Sequence, residues 1–162
     1  MKYLNVRILS AVFITLALTI LPCPSWLSMF RPSWVLLLIL YLEFFLQPYF
    51  SILFVFILGI SLDVLMATFL GQHIFALLLT TWIASNFSRR FCFFPIGQQM
   101  MLIGLFSIIY QFVFGLNDAF LGYNFSLLKV VLSSLISVLL WPWIRIIADG
   151  ALFDKFGGYA KP

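Results

Sequence analysis

The segment FCFFPIGQQMMLIGLFSIIYQFVFGLN, residues 91–117, contains no charged side chain in 27 consecutive positions. Two further uncharged runs cover residues 8–30 and 64–88. A helix needs about 20 apolar residues to cross a hydrocarbon core of about 30 Å. The whole chain is 64% hydrophobic and only 9% charged, with a mean hydropathy of +1.16. Because a soluble domain carries about 25% charged residues, this composition excludes a water-covered globular protein and indicates a membrane protein.

The apolar runs are continuous, which favours helices over a β-barrel, whose strands alternate apolar and polar side chains. The first apolar run is predicted to be a retained anchor, because Pro22-Cys23-Pro24 offers no small-residue cleavage site after it. Prolines and glycines then divide the chain into an all-α, polytopic bundle that forms one transmembrane domain, residues 1–162. Its six predicted transmembrane helices cover about residues 7–21, 33–46, 49–67, 71–86, 100–115 and 126–147.

The basic residues predict how these helices are oriented. Six crossings with a cytoplasmic N-terminus place seven lysines and arginines inside and only Arg31 and Lys129 outside, in agreement with the positive-inside rule. Both termini are therefore predicted to be cytoplasmic. Because the second helix is short for a full crossing, a re-entrant hairpin over residues 33–67 is the alternative. The basic residues are scattered and form no phosphate-binding patch, so nucleic acid is not an expected partner.

Small and polar side chains recur on single faces of several predicted helices, and such faces are where helices pack in lipid. The second helix has no such face, so we expect it at the rim of the bundle or against another protein. The stripes are Gly59, Asp63 and Ala67 on the third helix, Ala76, Thr80 and Ala84 on the fourth, Gly104, Ser107, Gln111 and Gly115 on the fifth, and Ser133, Ser137 and Trp141 on the sixth.

Two acidic residues, Glu43 and Asp63, interrupt apolar runs, where a charged side chain costs a few kcal/mol. No basic residue is expected at the depth of Asp63. It is predicted to be structural, hydrogen-bonded to backbone or to neighbouring hydroxyls, with a proton or ligand site as the alternative. Glu43 is expected close to the inner interface, where it is either structural or in contact with headgroups, with a partner contact as the alternative. His73 is expected to be a lone interfacial residue, about three turns from Asp63.

The sequence contains no recognisable nucleophile–base pair, metal-ligand spacing or phosphate-binding loop. Neither catalytic activity, nor a metal, nor a cofactor is therefore expected.

Three strings resemble the MreD family of rod-shape-determining membrane proteins. They are Phe30-Arg31-Pro32-Ser33-Trp34-Val35-Leu36-Leu37, then Gly59-Ile60-Ser61-Leu62-Asp63-Val64-Leu65 with Gly71 following, and Leu140-Trp141-Pro142-Trp143-Ile144. Their order and spacing are typical of the family, and the resemblance runs from the first helix to about Arg145. Together with the acid in the second helix, they suggest candidates for partner binding or packing: Arg31, Pro32, Trp34, Glu43, Gly59, Asp63, Gly71, Trp141, Pro142 and Trp143.

The resemblance implies a non-catalytic scaffold of the elongasome, which inserts side-wall peptidoglycan in rod-shaped cells, in the bacterial inner membrane. The implied partners are MreC above all, then MreB, RodZ, RodA and a class B penicillin-binding transpeptidase, all surrounded by membrane lipid. The second helix is the expected contact for the transmembrane helix of MreC. The implied fold resembles the substrate-binding subunits of energy-coupling-factor transporters. This analogy concerns the fold alone and gives no information about a substrate. The alternative function is a small-molecule transporter or vitamin-binding membrane subunit, with Asp63 lining a cavity.

Overall fold

A computed structural model describes residues 2–20, 32–46, 51–120, 122 and 127–153, and within these ranges the protein is all-helical. All six predicted helices are present, and the bounds of the second, third and fourth agree with the prediction to within three residues. In chain order the described helices are α1 (Lys2–Ile20), α2 (Trp34–Phe45), α3 (Ile52–Leu65), α4 (Gln72–Ser85), α5 (Ser88–Phe91), α6 (Ile96–Phe120) and α7 (Leu127–Phe153).

The remaining bounds differ from the prediction mainly in length. α6 begins four residues early, directly after Pro95, and continues through Gly115 to Phe120. A proline before the first turn costs no helical hydrogen bond, and a glycine weakens a helix by only about 1 kcal/mol. The helix therefore begins directly after Pro95 and does not end at Gly115, so the predicted bounds are too narrow on both sides. α5 is a single turn in the connection between the fourth and fifth predicted helices, and α7 continues six residues past its predicted end.

α2 lies at the centre of the bundle. Every residue from Val35 to Phe44 is at most 8% exposed, and the helix packs against α1, α4, α5, α6 and α7. The prediction that this helix lies at the rim is therefore wrong. A helix that is apolar on every side fits a buried position as well as a lipid-facing one, and here the surrounding helices bury it. The lack of small residues shows only that neighbouring backbones do not approach it closely.

The small-residue stripes lie where other helices pack closely. A Cβ atom on Gly59 would lie 2.8 Å from the Cα of Ile74 on α4, and one on Gly104 would lie 2.8 Å from Val138 Cγ2 on α7. The small and polar residues of the α4 and α7 stripes are buried as well. Ala67 is the exception, because the chain leaves helical geometry after α3 and this residue is exposed with a φ of +50°.

Gln111 connects three helices through hydrogen bonds in the interior. Its Nε2 donates to Ser133 Oγ on α7 at 2.7 Å and to Ser33 Oγ, just before α2, at 3.3 Å. Polar side chains of this kind hold membrane helices together where lipid supplies no hydrophobic driving force.

The outward surface of the bundle is strongly apolar. α6 and residues 127–148 of α7 are long and apolar enough to cross a membrane, and only 39% and 28% of their most apolar windows are buried. A core helix of a soluble protein would be mostly buried. Helices α2, α3 and α4 have 12 to 14 residues and are about 18–21 Å long. Among the described residues, large apolar side chains at least 66% exposed include Phe13, Ile52, Met101, Leu139 and Ile146.

Candidate functional site

Asp63 connects the end of α3 to the start of α4. Its Oδ2 accepts a hydrogen bond from the backbone N–H of Gly71 at 2.7 Å, and its Oδ1 accepts one from that of His73 at 2.9 Å. The hydroxyl of Thr68 also donates to Oδ1, at 3.2 Å. The first N–H groups of a helix have no partner within it, and a carboxylate is favourable at this positive end of the helix dipole. Asp63 therefore caps α4 from a neighbouring helix.

His73 belongs to the same cluster, which we call the Asp63 junction: Asp63, Thr68, Gly71 and His73. The ring nitrogen Nδ1 of His73 lies 3.0 Å from Asp63 Oδ1, and the ring packs edge-on against Phe114 with 4.6 Å between centroids. The predicted hydrogen bonds of Asp63 to backbone and hydroxyl groups are present. The expectations that no basic residue pairs with Asp63, and that His73 is a lone residue three turns away, are wrong.

The turn between α3 and α4 explains that error. Ala67 and Gly71 have φ values of +50° and +105°, and these left-handed conformations reverse the chain within six residues. Residue 73 therefore folds back over residue 63. Glycine adopts such a conformation without steric cost, which accounts for the glycine at position 71, after the second MreD-like string.

A cavity of about 470 Å³ lies beside the Asp63 junction, between the start of α4, the end of α6 and the start of α7. Its lining contains two opposite charges, Asp118 and Lys129, and the Nε2 of Gln72 donates to Asp118 Oδ1. Phe69 and Phe114 supply apolar walls. Asp63 does not line this cavity, contrary to the transporter alternative. Within the described residues, no group of three or more histidine, cysteine or acidic side chains is placed to hold a metal ion.

A second polar cluster holds the opposite end of the bundle, which we call the Arg145 end. Arg145 Nη1 donates to Gln99 Oε1 at 2.8 Å, and its guanidinium lies 5.3 Å from the ring centroid of Phe45. Gln99 Nε2 donates to the carbonyls of Phe91 and Phe94, at 3.3 and 2.9 Å. These contacts join α2, α6 and α7 to the turn that contains α5.

The thiol of Cys92 adds one more link at the Arg145 end. It donates to the Phe44 carbonyl of α2 at 3.2 Å. Desolvation raises the pKa of this thiol, so it stays protonated and able to donate at neutral pH. The turn is therefore tied to the central helix as well as to α6 and α7.

Glu43 does not occupy the interfacial position expected from the sequence. The residue is 2% exposed, and neither carboxyl oxygen has a hydrogen-bond partner among the residues that the structure describes. Contact with headgroups or with a partner is not open to a side chain enclosed in this way, so the interfacial and partner-contact expectations are wrong, whereas a structural role is compatible with the burial. The physical reason is the central position of α2, because neighbouring helices surround it along its whole length and enclose Glu43 with it.

The other candidates fall in different parts of the molecule. Trp141 is fully buried, with its ring edge-on to Phe91 at 5.9 Å, whereas Trp143 is 67% exposed. Pro142 lies inside α7. Pro32 and Trp34 are half-buried at the start of α2, and Arg31 lies outside the described residues, as do Trp26 and Phe30. The described residues of the three MreD-like strings therefore contribute to separate helix contacts and form no single site.

Sequence reasoning missed most of the polar residues that connect helices. Gln99 and Asp118 lie outside the predicted fifth helix, because that prediction is too short at both ends. Gln72 and Arg145 were not singled out, since their partners lie 46 residues away in the chain. A signal was available in the glutamines, which are rare in lipid-facing positions and usually find a partner on another helix.

Comparison with known proteins gives two matches. The model of the family described as rod shape-determining protein MreD matches residues 2–149. A curated protein from Haemophilus influenzae, named Rod shape-determining protein MreD, is 28% identical over 140 residues, which is 86% of each chain. No solved structure matches this chain.

Proposed function

Because this chain belongs to the MreD family of rod shape-determining membrane proteins, we propose that it is a non-catalytic scaffold of the elongasome. The family match over residues 2–149 carries the proposal. The architecture supports it, since the connections from α3 to α7 contain only two to six residues. Such a protein offers partners its helix faces and the rims of its turns. Side-wall peptidoglycan synthesis would then depend on the proteins that it holds together.

The proposed partners are MreC first, and with it MreB, RodZ, RodA and a class B penicillin-binding transpeptidase. Burial of α2 moves the proposed contact for the MreC transmembrane helix to another surface. The exposed faces of α1, α3 and α7 carry large apolar side chains, among them Phe13, Ile52 and Leu139. A helix face of this kind packs against lipid or against another transmembrane helix.

Copurification tests the scaffold proposal. We expect the tagged protein, extracted from its own membranes in mild detergent, to retain MreC at comparable molar amounts by quantitative mass spectrometry. An unrelated multi-pass protein with the same tag serves as the control. Recovery of the protein in a folded, monodisperse state without any cell-wall synthesis protein would contradict the proposal.

The same proposal includes six crossings of the bacterial inner membrane with both termini cytoplasmic. Arg89, Arg90 and Arg145 support this orientation because they belong to the Arg145 end, whereas Lys129 belongs to the opposite end beside the cavity. Basic residues concentrate on the cytoplasmic side of membrane proteins. α3 packs mainly along α4 rather than pairing with α2, which favours separate crossings over a re-entrant hairpin of residues 33–67.

Fusions to the C-terminus test the orientation. We expect alkaline phosphatase, which is active only outside the cytoplasm, to be inactive after Pro162, and a fluorescent protein there to be bright. A phosphatase fused in the turn between α6 and α7 should be active. Active phosphatase at the C-terminus would contradict an even number of crossings.

A small-molecule transporter or vitamin-binding subunit is the second candidate function. The cavity lined by Asp118 and Lys129 is the observation in its favour, because it offers one anionic and one cationic group beside aromatic walls. This function requires a small molecule to copurify with the protein. If extracts of the purified protein contain no such small molecule, this second candidate function is excluded.

A further inference from the structure

The turn between α4 and α6 presents basic and apolar side chains side by side. Arg89 and Arg90 are both exposed, and neither forms an ion pair with any residue that the structure describes. Around them Phe93 is 83% exposed, Ile96 55% and Phe87 41%. Water solvates exposed arginines well, but it does not favour the three exposed apolar side chains beside them. An environment that offers both anionic groups and apolar contact suits the whole turn better than water does.

The base of this turn is held firmly to the bundle. Phe91 is fully buried, and its ring stacks on Phe44 of α2 with 3.8 Å between centroids. Gln99 holds the carbonyls of Phe91 and Phe94, and the Cys92 thiol donates to the carbonyl of Phe44. The two arginines consequently project from a fixed backbone. A ligand that binds them loses little free energy in ordering the protein, which is the advantage of a preorganised site.

We propose that the turn formed by residues 87–96 is a binding site for anionic phospholipids. Arg89 and Arg90 hold the lipid phosphate, while Phe87, Phe93 and Ile96 lie at the boundary between headgroups and acyl chains. Guanidinium groups pair with phosphate through parallel hydrogen bonds. Basic side chains next to a membrane are attracted to anionic lipids, and phenylalanine and aliphatic side chains on an amphipathic segment insert at the boundary between headgroups and acyl chains. An acidic protein segment would satisfy the arginines but would leave the apolar ring around them unexplained.

This inference goes beyond the scaffold function and rests only on the protein's being embedded in a membrane. Partner proteins are not needed for it. The purified full-length chain in a lipid nanodisc is therefore sufficient for a test, and a failed test would leave the scaffold proposal untouched.

The test uses nanodiscs that contain equal amounts of phosphatidylglycerol and phosphatidylcholine. In paired samples one of the two lipids carries a photoactivatable group, and crosslinks to residues 87–96 are mapped by mass spectrometry. We expect phosphatidylglycerol to label this turn in preference to phosphatidylcholine. The double variant Arg89→Gln/Arg90→Gln should lower that preference by about 25-fold, or about fivefold for each arginine. Raising the salt concentration should lower it in the wild type, because ions screen exposed charges.

Two matched variants distinguish lipid binding at a local site from a general effect of the protein's net charge. Lys129→Gln makes the same kind of charge change at the opposite end of the bundle and should leave the labelling of residues 87–96 within twofold of wild type. Arg89→Lys/Arg90→Lys keeps both charges and should retain most of the preference. If the double glutamine variant does not elute as a monodisperse protein, the single variants carry the test, each with its fivefold expectation.

Three results would overturn the proposal. The first is an unchanged lipid preference in a folded Arg89→Gln/Arg90→Gln variant. The second is competition by free inorganic phosphate at millimolar concentration, which would indicate a small-anion site. The third is a variant with normal lipid labelling that loses a protein copurifying with the wild type, which would assign this turn to a protein partner.

Discussion

Replacing Asp63 with leucine is expected to lower the free energy of unfolding by about 2–4 kcal/mol and to remove most of the accumulated protein. The carboxylate accepts hydrogen bonds from the backbone of Gly71 and His73 and from the hydroxyl of Thr68. Leucine has a similar size but leaves these donors without a partner at the start of α4. Abundance in the membrane, followed by immunoblotting and by thermal unfolding of the purified variant, provides the measurement.

The Asp63→Asn variant is compared with Asp63→Leu, because asparagine keeps part of the hydrogen-bonding capacity. Its single carbonyl oxygen can accept from one of the two backbone donors, and its amide hydrogens face the other, so we expect an intermediate loss of stability. Ser61→Ala is the control, because the Ser61 hydroxyl only bonds to a carbonyl within its own helix, that of Ile57. An Asn variant that accumulates normally but supports rod shape no better than the Leu variant would contradict a purely structural role. A titrating or ligand-binding Asp63 would then be favoured.

Replacing Gly59 with alanine is the second change with a large expected effect, about 1–3 kcal/mol of destabilisation from overpacking. The new Cβ would lie 2.8 Å from both the Cα and the Cγ1 of Ile74. Because the Cα is a backbone atom, α3 and α4 must move apart as whole helices even where the side chain is shortened, which also disturbs the Asp63 junction. Thermal unfolding of the purified protein measures the effect. Shortening the neighbour with Ile74→Ala should not restore stability.

Gly104 provides a matched comparison. A Cβ there would also lie 2.8 Å from its neighbour, but that neighbour is Val138 Cγ2, a side-chain atom. Gly104→Ala should therefore be destabilising alone and largely rescued by Val138→Ala. Gly97→Ala is the neutral control, since nothing lies within 4 Å of its new Cβ. If Ile74→Ala rescued Gly59→Ala equally well, the close backbone contact between α3 and α4 would be refuted.

The features predicted well from the sequence are those that depend on local composition. Uncharged runs and proline positions located the helices, and small-residue stripes such as Gly59 with Asp63 identified faces that pack. These signals work because small side chains set how closely helices approach, a property that each helix carries by itself. The prediction is wrong for Ala67, because α3 ends before this residue.

The features that were missed depend on how distant segments meet. His73 contacts Asp63 only because a six-residue turn contains left-handed conformations at Ala67 and Gly71. The sequence of α2 shows that it is apolar on every side, and this pattern fits both a lipid-facing helix and a buried one. Its buried position, and with it the enclosure of Glu43, is decided by where the other helices pack.

The proposed function, that the protein organises side-wall synthesis without catalysing it, is tested directly by depletion in growing cells of its own organism. Fluorescent peptidoglycan precursors mark the new wall. We expect rods to become round and the label to leave its side-wall pattern, while total incorporation per cell surface continues because the synthetic enzymes are intact. Cells that keep their rod shape and normal side-wall labelling after depletion would contradict the account.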